Sequence, residues 1–268
     1  MSLSRVVIVL ALVTGLLGFS CSTVPVSGRS QLSLVSSSEM MSMSYQQYAE
    51  FIKTNKLSTN KQAVDLVRGV GTRIQKAVEQ YMTQNNMTDA LKGYKWEFNV
   101  VESQEVNAWC MPGGKVVVYT GILPVTRDET GLAVVMGHEI AHAIAEHGRE
   151  RMSQQVLAEV GAAALDVTLA KNSAQTRALW MSAYGVGTQY GALLPFSREH
   201  ESEADHLGLV FMAMAGYDPN AAVAFWERMA AASGGEKPPE FMSTHPSDET
   251  RIQQIKEKLP EAMKYYKK

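Results

Sequence analysis

Cysteine is nearly absent from this sequence of 268 residues, which contains only Cys21 and Cys110. Two thiols cannot supply the ligands of a zinc ribbon, so any metal site must use histidine and carboxylate side chains. If Cys21 carries no modification, the two cysteines can pair in an oxidising compartment; if it is lipidated, Cys110 is left single.

An excess of one charge is also lacking. The formal net charge is -2 and 19% of the residues are charged, which provides neither the basic field that nucleic acid needs nor an acidic tail. Aromatic residues are few, but 46% of the chain is hydrophobic. This hydrophobic fraction predicts one globular domain with a real core, preceded by a leader.

The apolar run near the N-terminus, residues 6–17, is too short to span a bilayer and fits the centre of a signal peptide, which we place at residues 1–20. A small residue followed by Cys21 is similar to the lipobox of bacterial lipoproteins, so Cys21 is the predicted lipidation site. Ser22 after that cysteine indicates sorting to the outer membrane. The predicted location is the bacterial periplasm, with a lipid anchor in the outer membrane; an ordinary signal peptide cut elsewhere is the alternative.

Composition and periodicity divide the rest of the chain into a Ser-rich tether over residues 21–38 and one folded domain over residues 39–268. Helices are predicted over 39–53, 60–85, 129–152, 199–215, 218–232 and 247–259, and strands over 94–101 and 115–120. Residues 178–197 are uncharged and as long as a membrane span, but their glycines and polar residues favour helices packed beside the functional site.

The helix that follows a predicted Thr126–Glu129 capping box carries the pattern His138-Glu139-Ile140-Ala141-His142. Residues four apart lie on one helix face, so the two imidazoles can hold one Zn²⁺ while Glu139 reaches the metal's water. Zinc lowers the pKa of such a water from about 15.7 to roughly 7. The pattern predicts a zinc metalloprotease with Glu139 as general base; two solvated histidines on a surface helix are the structural alternative.

A catalytic zinc needs a third protein ligand, and the segment Glu201–Asp205 offers candidates on a second predicted helix. Glu201 and Asp205 share a face, so we predict that Glu201 binds zinc and that Asp205 accepts a hydrogen bond from a ligand histidine. Gly208 is small enough to let this helix approach the first one closely. A solvated acidic helix start is the alternative.

Four other polar residues lie near these motifs. On spacing alone, Glu203 and His200 remain rival zinc ligands. His147 lies five residues past His142, about 500° around a continuous helix, and therefore off the ligand face. We assign it to surface or core structure, as we do His206.

The pattern Glu201-x-x-Ala204-Asp205, preceded by Phe196-Ser197-Arg198, resembles the second motif of the HtpX and CAAX prenyl-protease family of gluzincin metallopeptidases. Other segments are similar to that family too: Gly28-Arg29, Gln31-Leu32, Asn107-Ala108, Pro112-Gly113-Gly114, Tyr119-Thr120-Gly121, and Ser243-Thr244-His245-Pro246-Ser247 with Arg251 beyond. The likeness extends to exported lipoprotein proteases such as LoiP and the protease domain of BepA. It implies an α+β, mostly helical, zincin-like fold with a small sheet beside the H-E-x-x-H helix, and one zinc ion per chain.

By matching positions, the resemblance assigns His138, His142 and Glu201 to zinc and Glu139 to the base. Asp205 matches an acid that either supports a ligand or donates a proton, and we favour support.

His245 and Arg251 match residues that stabilise the oxyanion or hold substrate. In BepA-like relatives the histidine at the position of His245 can also be a fourth zinc ligand, which makes the enzyme latent.

We therefore expect endopeptidase cleavage of unfolded or misassembled cell-envelope proteins, with outer-membrane assembly machinery as a further partner and no nucleic acid. The substrate would add as a strand along Asn107, Ala108 and Trp109. Three rivals remain: an exopeptidase, which needs a charged group for a chain terminus; a chaperone or assembly factor that uses zinc structurally; and a role in the membrane through residues 178–197.

Overall fold

The computed structural model of this protein describes residues 21–189, 194–232, 240–245 and 249–267, and the predicted signal peptide lies outside them. The strands are β1 (Cys21–Thr23), β2 (Ser30–Leu32), β3 (Glu97–Val101), β4 (Ala108–Met111) and β5 (Lys115–Tyr119). The helices are α1 (Ser37–Thr54), α2 (Lys61–Gln84), α3 (Leu123–Thr126), α4 (Glu129–Ile144), α5 (His147–Thr168), α6 (Ala174–Thr188), α7 (Leu194–Met214), α8 (Ala221–Ala232), α9 (Glu240–Thr244) and α10 (Glu249–Ala262). The predicted mostly helical α+β architecture is confirmed.

The sheet beside α4 has the strand order β3-β5-β4. Strand β5 pairs in parallel with β3 and antiparallel with β4. Every residue of β5 is buried because it lies in the middle, whereas β4 forms an edge. Strand β4 contains Ala108 and Trp109, two of the residues along which the substrate strand is predicted to add.

Helix α4 is buried on nearly all sides, as its almost continuous apolar sequence dictates. It packs against α7, α2 and β4, and Leu132, Val135, Met136 and Ile140 have no exposed surface. Burial of this helix places the H-E-x-x-H residues inside the domain.

The capping box predicted at Thr126 and Glu129 is wrong, because α4 begins in a different way. Arg127 takes a left-handed φ of 69°, so the chain turns and Asp128 becomes the N-cap, accepting a hydrogen bond from the Gly131 amide at 2.8 Å. The Thr126 hydroxyl instead donates to the Leu123 carbonyl at 2.9 Å.

The predicted tether, residues 21–38, is docked on the domain. Strands β1 and β2 form an antiparallel hairpin, and Val24, with 1% of its surface exposed, belongs to the main core. Cys21, the predicted lipidation site, is exposed, and Cys110 is half-buried; both thiols are free.

Helices α5 and α6 pack against each other. The Tyr184 hydroxyl donates to the Ala158 carbonyl at 3.0 Å, and Leu179 and Trp180 remain 70% and 56% exposed. Within the described residues, no helix is both long and apolar enough to cross a membrane.

Helices α4 and α7 touch through their backbones at Gly137 and Gly208. A Cβ atom on Gly137 would lie 2.9 Å from the Gly208 carbonyl oxygen, and one on Gly208 would lie 2.9 Å from the His138 amide nitrogen. The close approach predicted from the small residue at position 208 is confirmed.

We expect Gly208→Ala to lower the free energy of unfolding by about 1–3 kcal/mol, because the added methyl group must push two packed helices apart. Gly69→Ala on α2 is the control, since nothing lies within 4 Å of its added Cβ. It should be neutral or stabilise by about 0.5–1 kcal/mol. Urea unfolding of the metal-free proteins measures the free energy of unfolding of both variants. A Gly208→Ala variant as stable as wild type would contradict the backbone contact.

Candidate active site

The two histidines of α4 face the carboxylate of Glu201 on α7. The Nε2 atoms of His138 and His142 lie 3.1 Å apart. Glu201 places Oε2 at 3.3 Å from His138 Nε2 and Oε1 at 3.2 Å from His142 Nε2. The structure thus brings the three predicted ligands together.

A third imidazole of ligand type comes from His245, which follows α9. Its Nδ1 atom lies 3.0 Å from Glu201 Oε1 and 3.1 Å from His138 Nε2. One ligand atom from each of His138, His142, Glu201 and His245 lies within 4.8 Å of all the others. The rival ligands Glu203 and His200 are outside this group.

This donor set fits zinc. Histidine nitrogen and carboxylate oxygen are ligands that zinc accepts, and ligand atoms about 2.0–2.1 Å from a tetrahedral ion stand about 3.3 Å from one another. The separations given above run from 3.0 to 3.3 Å. With one ligand atom from each within 4.8 Å of the others, the four side chains are close enough to share one metal ion.

The charges at the site attract a cation. Burial alone would lower the pKa of His138, but hydrogen bonds to Asp205 and Glu201 outweigh it and raise that pKa to about 9. Burial would also raise the pKa of Glu201, yet its contacts with the three histidines hold it far below the ordinary value. The Glu201 carboxylate is therefore ionised. The negative electrostatic potential that would keep a proton on His138 would also attract a metal ion.

Glu139 lies beside this group without being part of it. It is 4% exposed, and its Oε1 atom is buried and makes no hydrogen bond within the described residues. Burial is the main cause that raises the pKa of this carboxyl group. A buried carboxylate that is more basic than usual suits proton transfer.

Asp205 and Arg251 lie behind the ligands. Asp205 Oδ1 is 3.0 Å from His138 Nδ1, which is the contact predicted for it. Arg251 donates to both Asp205 oxygens at 2.9 and 2.8 Å, and its Nη1 is 3.0 Å from Glu201 Oε2.

Arg251 is 6% exposed, and its guanidinium carbon lies 3.6 Å from the centre of the Trp226 ring. It therefore holds Asp205 and Glu201 in position, which differs from the predicted direct contact with substrate or oxyanion.

An open cleft of about 810 Å³ runs along the edge strand β4. Asn107, Ala108 and Trp109 line it, and so do Glu139, His142 and His245. The segment predicted to bind substrate thus shares one cleft with the predicted base and two of the ligand side chains.

Sequence reasoning missed a second buried polar group centred on His147. Its Nδ1 atom is 2.7 Å from His142 Nδ1. The predicted helix to residue 152 is wrong here: α4 ends at Ile144, and Glu146 takes a left-handed φ of 56° before α5 begins. Because the helix breaks here, the side chain of His147 reaches His142, whereas in a continuous helix it would point away from the ligand face.

The same group contains Glu203, His200, Glu150 and Arg29. Burial would raise the pKa of Glu150 and of Glu203, but hydrogen bonds from their histidine and arginine partners lower both to about 2. Burial lowers the pKa of His147 to about 4, so the ring is neutral at pH 7. The sequence does place a histidine five residues beyond the H-E-x-x-H motif. Its contact with His142 depends on the helix break, which periodicity does not predict.

His206 lies elsewhere, half-exposed and 3.2 Å from Glu261, as expected for a surface residue.

Comparison with known proteins gives the family. Residues 71–259 match peptidase family M48. The chain is 40% identical over 194 residues to the mitochondrial metalloendopeptidase OMA1 of Schizosaccharomyces pombe, covering 70% of this chain and 53% of that protein. It is 29% identical over 249 residues to the human mitochondrial metalloendopeptidase OMA1, covering 90% and 46%. With the Escherichia coli beta-barrel assembly-enhancing protease it shares 32% identity over 162 residues, covering 59% and 33%.

These comparisons support the predicted enzyme class and correct two finer predictions. The chain spans about half, or less, of the length of these relatives. The predicted bacterial periplasmic location is contradicted, because relatives matching up to 90% of the chain are mitochondrial proteins of eukaryotes. The specific likeness to LoiP and HtpX is not supported by these relatives, whereas the broader metallopeptidase family is confirmed.

The charge of Glu150 predicts a stability change with pH. Its folded pKa of about 2 lies below the ordinary 4.5, so its stabilising effect is complete above pH 4.5 and is lost as the pH falls towards 2. Glu150→Gln should therefore be less stable than wild type by up to about 3 kcal/mol near pH 7. The difference should shrink below pH 4.5.

Urea unfolding of metal-free proteins at several pH values measures this difference. The control is Glu159→Gln, which changes an exposed glutamate on the same helix and should match wild type throughout. A Glu150→Gln difference that stays constant from pH 7 to pH 3 would show that the ion pairs do not depend on this carboxylate.

Proposed function

This chain belongs to peptidase family M48, and on that premise we propose that it is a zinc-dependent metalloendopeptidase. The observation that carries the proposal is the position of Glu139. Its buried carboxylate lies beside four ligand-type atoms that are all within 4.8 Å of one another, at the wall of an open cleft.

A zinc ion held by His138, His142 and Glu201 would polarise a peptide carbonyl and lower the pKa of a water molecule. Glu139 takes the proton from the attacking water, because its buried carboxylate has a raised pKa and faces the cleft. The same carboxyl group then carries the proton to the leaving amine.

Other residues of the chain hold this arrangement in place. Asp205 accepts a hydrogen bond from His138 Nδ1, which leaves Nε2 free to bind the metal. Arg251 neutralises the paired carboxylates of Asp205 and Glu201. Both are positioning residues in this mechanism, since each acts through a ligand.

Edge strand β4 supports extended polypeptide as the substrate. Among the described strands, β4 pairs with β5 and lies at the end of the sheet. Its other edge can therefore accept a substrate strand through main-chain hydrogen bonds. Asn107, Ala108 and Trp109 line the cleft there. Main-chain recognition suits unfolded proteins, which we propose as the substrate class.

We expect Glu139→Gln to reduce casein cleavage by about 10²–10⁴-fold, since the amide cannot accept the proton. The assay uses the zinc-loaded full chain, and Glu159→Gln, which alters an exposed residue on α5, is the matched control. A peptide blocked at both ends distinguishes internal cleavage from removal of terminal residues. Equal cleavage by wild type and Glu139→Gln would refute this assignment of the base.

His245 supports a second candidate function, a latent enzyme. Its Nδ1 atom is among the four ligand-type atoms, and its Nε2 atom is 3.5 Å from Glu139 Oε1. A metal held by all four side chains would lack the open position that catalysis needs. We propose that this is a resting arrangement and that His245 leaves when substrate enters.

His245→Ala should therefore raise basal casein cleavage several-fold while zinc remains bound. The three remaining ligands keep the metal, and the fourth position is open to water. Zinc content after dialysis is measured alongside the rate, with His206→Ala as the control. A loss of about 10²–10³-fold with zinc retained would instead assign His245 to oxyanion stabilisation.

A further inference from the structure

We infer that His147 is a positioning residue for the ligand His142, and that Glu203 and Arg29 extend this support to the N-terminal hairpin. The inference rests on the metal site proposed above. It concerns side chains that bind no metal themselves and lie between that site and strands β1 and β2.

Hydrogen-bonding capacity fixes where the protons lie. His147 Nε2 is 2.9 Å from Glu203 Oε2, and a carboxylate only accepts, so Nε2 carries the proton. The Nδ1 atom of His147 is 2.7 Å from His142 Nδ1, so one of these two nitrogens donates to the other. In the proposed metal site His142 uses its Nε2 lone pair, beside Glu201, to bind the metal, so its Nδ1 carries the proton and donates to His147.

The two metal ligands of α4 are thus supported in parallel ways by carboxylates of α7. His138 reaches Asp205 directly at 3.0 Å, whereas His142 reaches Glu203 through one intervening imidazole. Outer hydrogen bonds of this kind fix the tautomer and ring orientation of a ligand histidine. His147 is 1% exposed, so water does not replace it in this role.

Arg29 connects the hairpin to this chain of contacts. Its guanidinium donates to Glu203 at 3.0 Å and to both oxygens of Glu150 at 3.1 and 2.7 Å. Glu150 is in turn 2.9 Å from His200 Nε2, and the His200 ring stacks on His147 with centres 4.3 Å apart. The arginine therefore fixes the carboxylate on which His147 depends and balances two buried negative charges.

The test measures zinc affinity of the full chain by competition with a chelator. His147→Ala should raise the Kd for zinc about 10–100-fold, as loss of an outer hydrogen bond to a ligand does. Glu203→Ala and Arg29→Ala should raise it by smaller factors. His206→Ala, which removes a histidine from α7 outside this network, should leave the Kd unchanged.

A double-mutant cycle separates a relay from general loosening. If Glu203 acts through His147, the variant with both changes to alanine binds zinc no more weakly than His147→Ala alone. Additive losses would overturn the relay. All Kd values are taken where thermal melting of the metal-free proteins shows each variant folded, so a purely structural role would lower the melting temperature and leave the Kd unaltered.

Two results would overturn the inference directly. If the His147→Ala variant folds and binds zinc as tightly as wild type, His147 does not position His142. If His147→Ala does not fold, unchanged affinities in Glu203→Ala and Arg29→Ala have the same consequence. Failure of wild type to bind zinc would instead contradict the proposed metal site, so the two failures are distinguishable.

Discussion

The backbone contact between α4 and α7 is the constraint on which the site depends. Gly137 and Gly208 let the helices approach until a Cβ atom on either would overlap the other helix. Only at this separation can the short side chain of Glu201 reach two histidines that rise from the opposite helix. The same approach brings Asp205 to His138, so one contact between two glycines sets both ligand and support distances.

Burial explains why so many charged groups surround so few ligand atoms. A carboxylate removed from water is costly unless it is paired. Glu201 and Asp205 have Arg251 between them, and Glu150 shares Arg29 with Glu203. Glu139 differs, since its Oε1 atom is buried and makes no hydrogen bond among the residues that the structure describes. The carboxylate proposed as the general base has His245 Nε2, 3.5 Å away, as its ion-pair contact.

Local spacing predicted part of the centre of the site. Residues four apart on a helix share a face, which predicted the two histidines of α4 and placed Glu201 and Asp205 together. Spacing alone left Glu203 and His200 as rival ligands, and the family resemblance favoured Glu201. Alternation of apolar residues predicted strands over 94–101 and 115–120, where β3 and β5 lie.

Features that depend on tertiary contacts were not predictable in this way. The cap at Asp128 follows from the left-handed turn at Arg127, and the role of His147 follows from a similar turn at Glu146. The serine-rich composition of residues 21–38 predicts a tether, but Arg29 donates to carboxylates 121 and 174 residues away. No local pattern encodes such distant partners.

Helix α9 contacts both the segment before the edge strand β4 and His245, the fourth ligand-type side chain. The Phe241 amide donates to the Val106 carbonyl at 3.1 Å, immediately before the cleft-lining segment of β4. The buried Phe241 ring lies against His245 with centres 4.7 Å apart. One hydrogen bond thus joins the segment before β4 to the residue that packs on His245. In the latent arrangement proposed above, His245 Nδ1 and an incoming substrate carbonyl would compete for one position at the metal, so the contacts of Phe241 connect the proposed substrate edge to that competition.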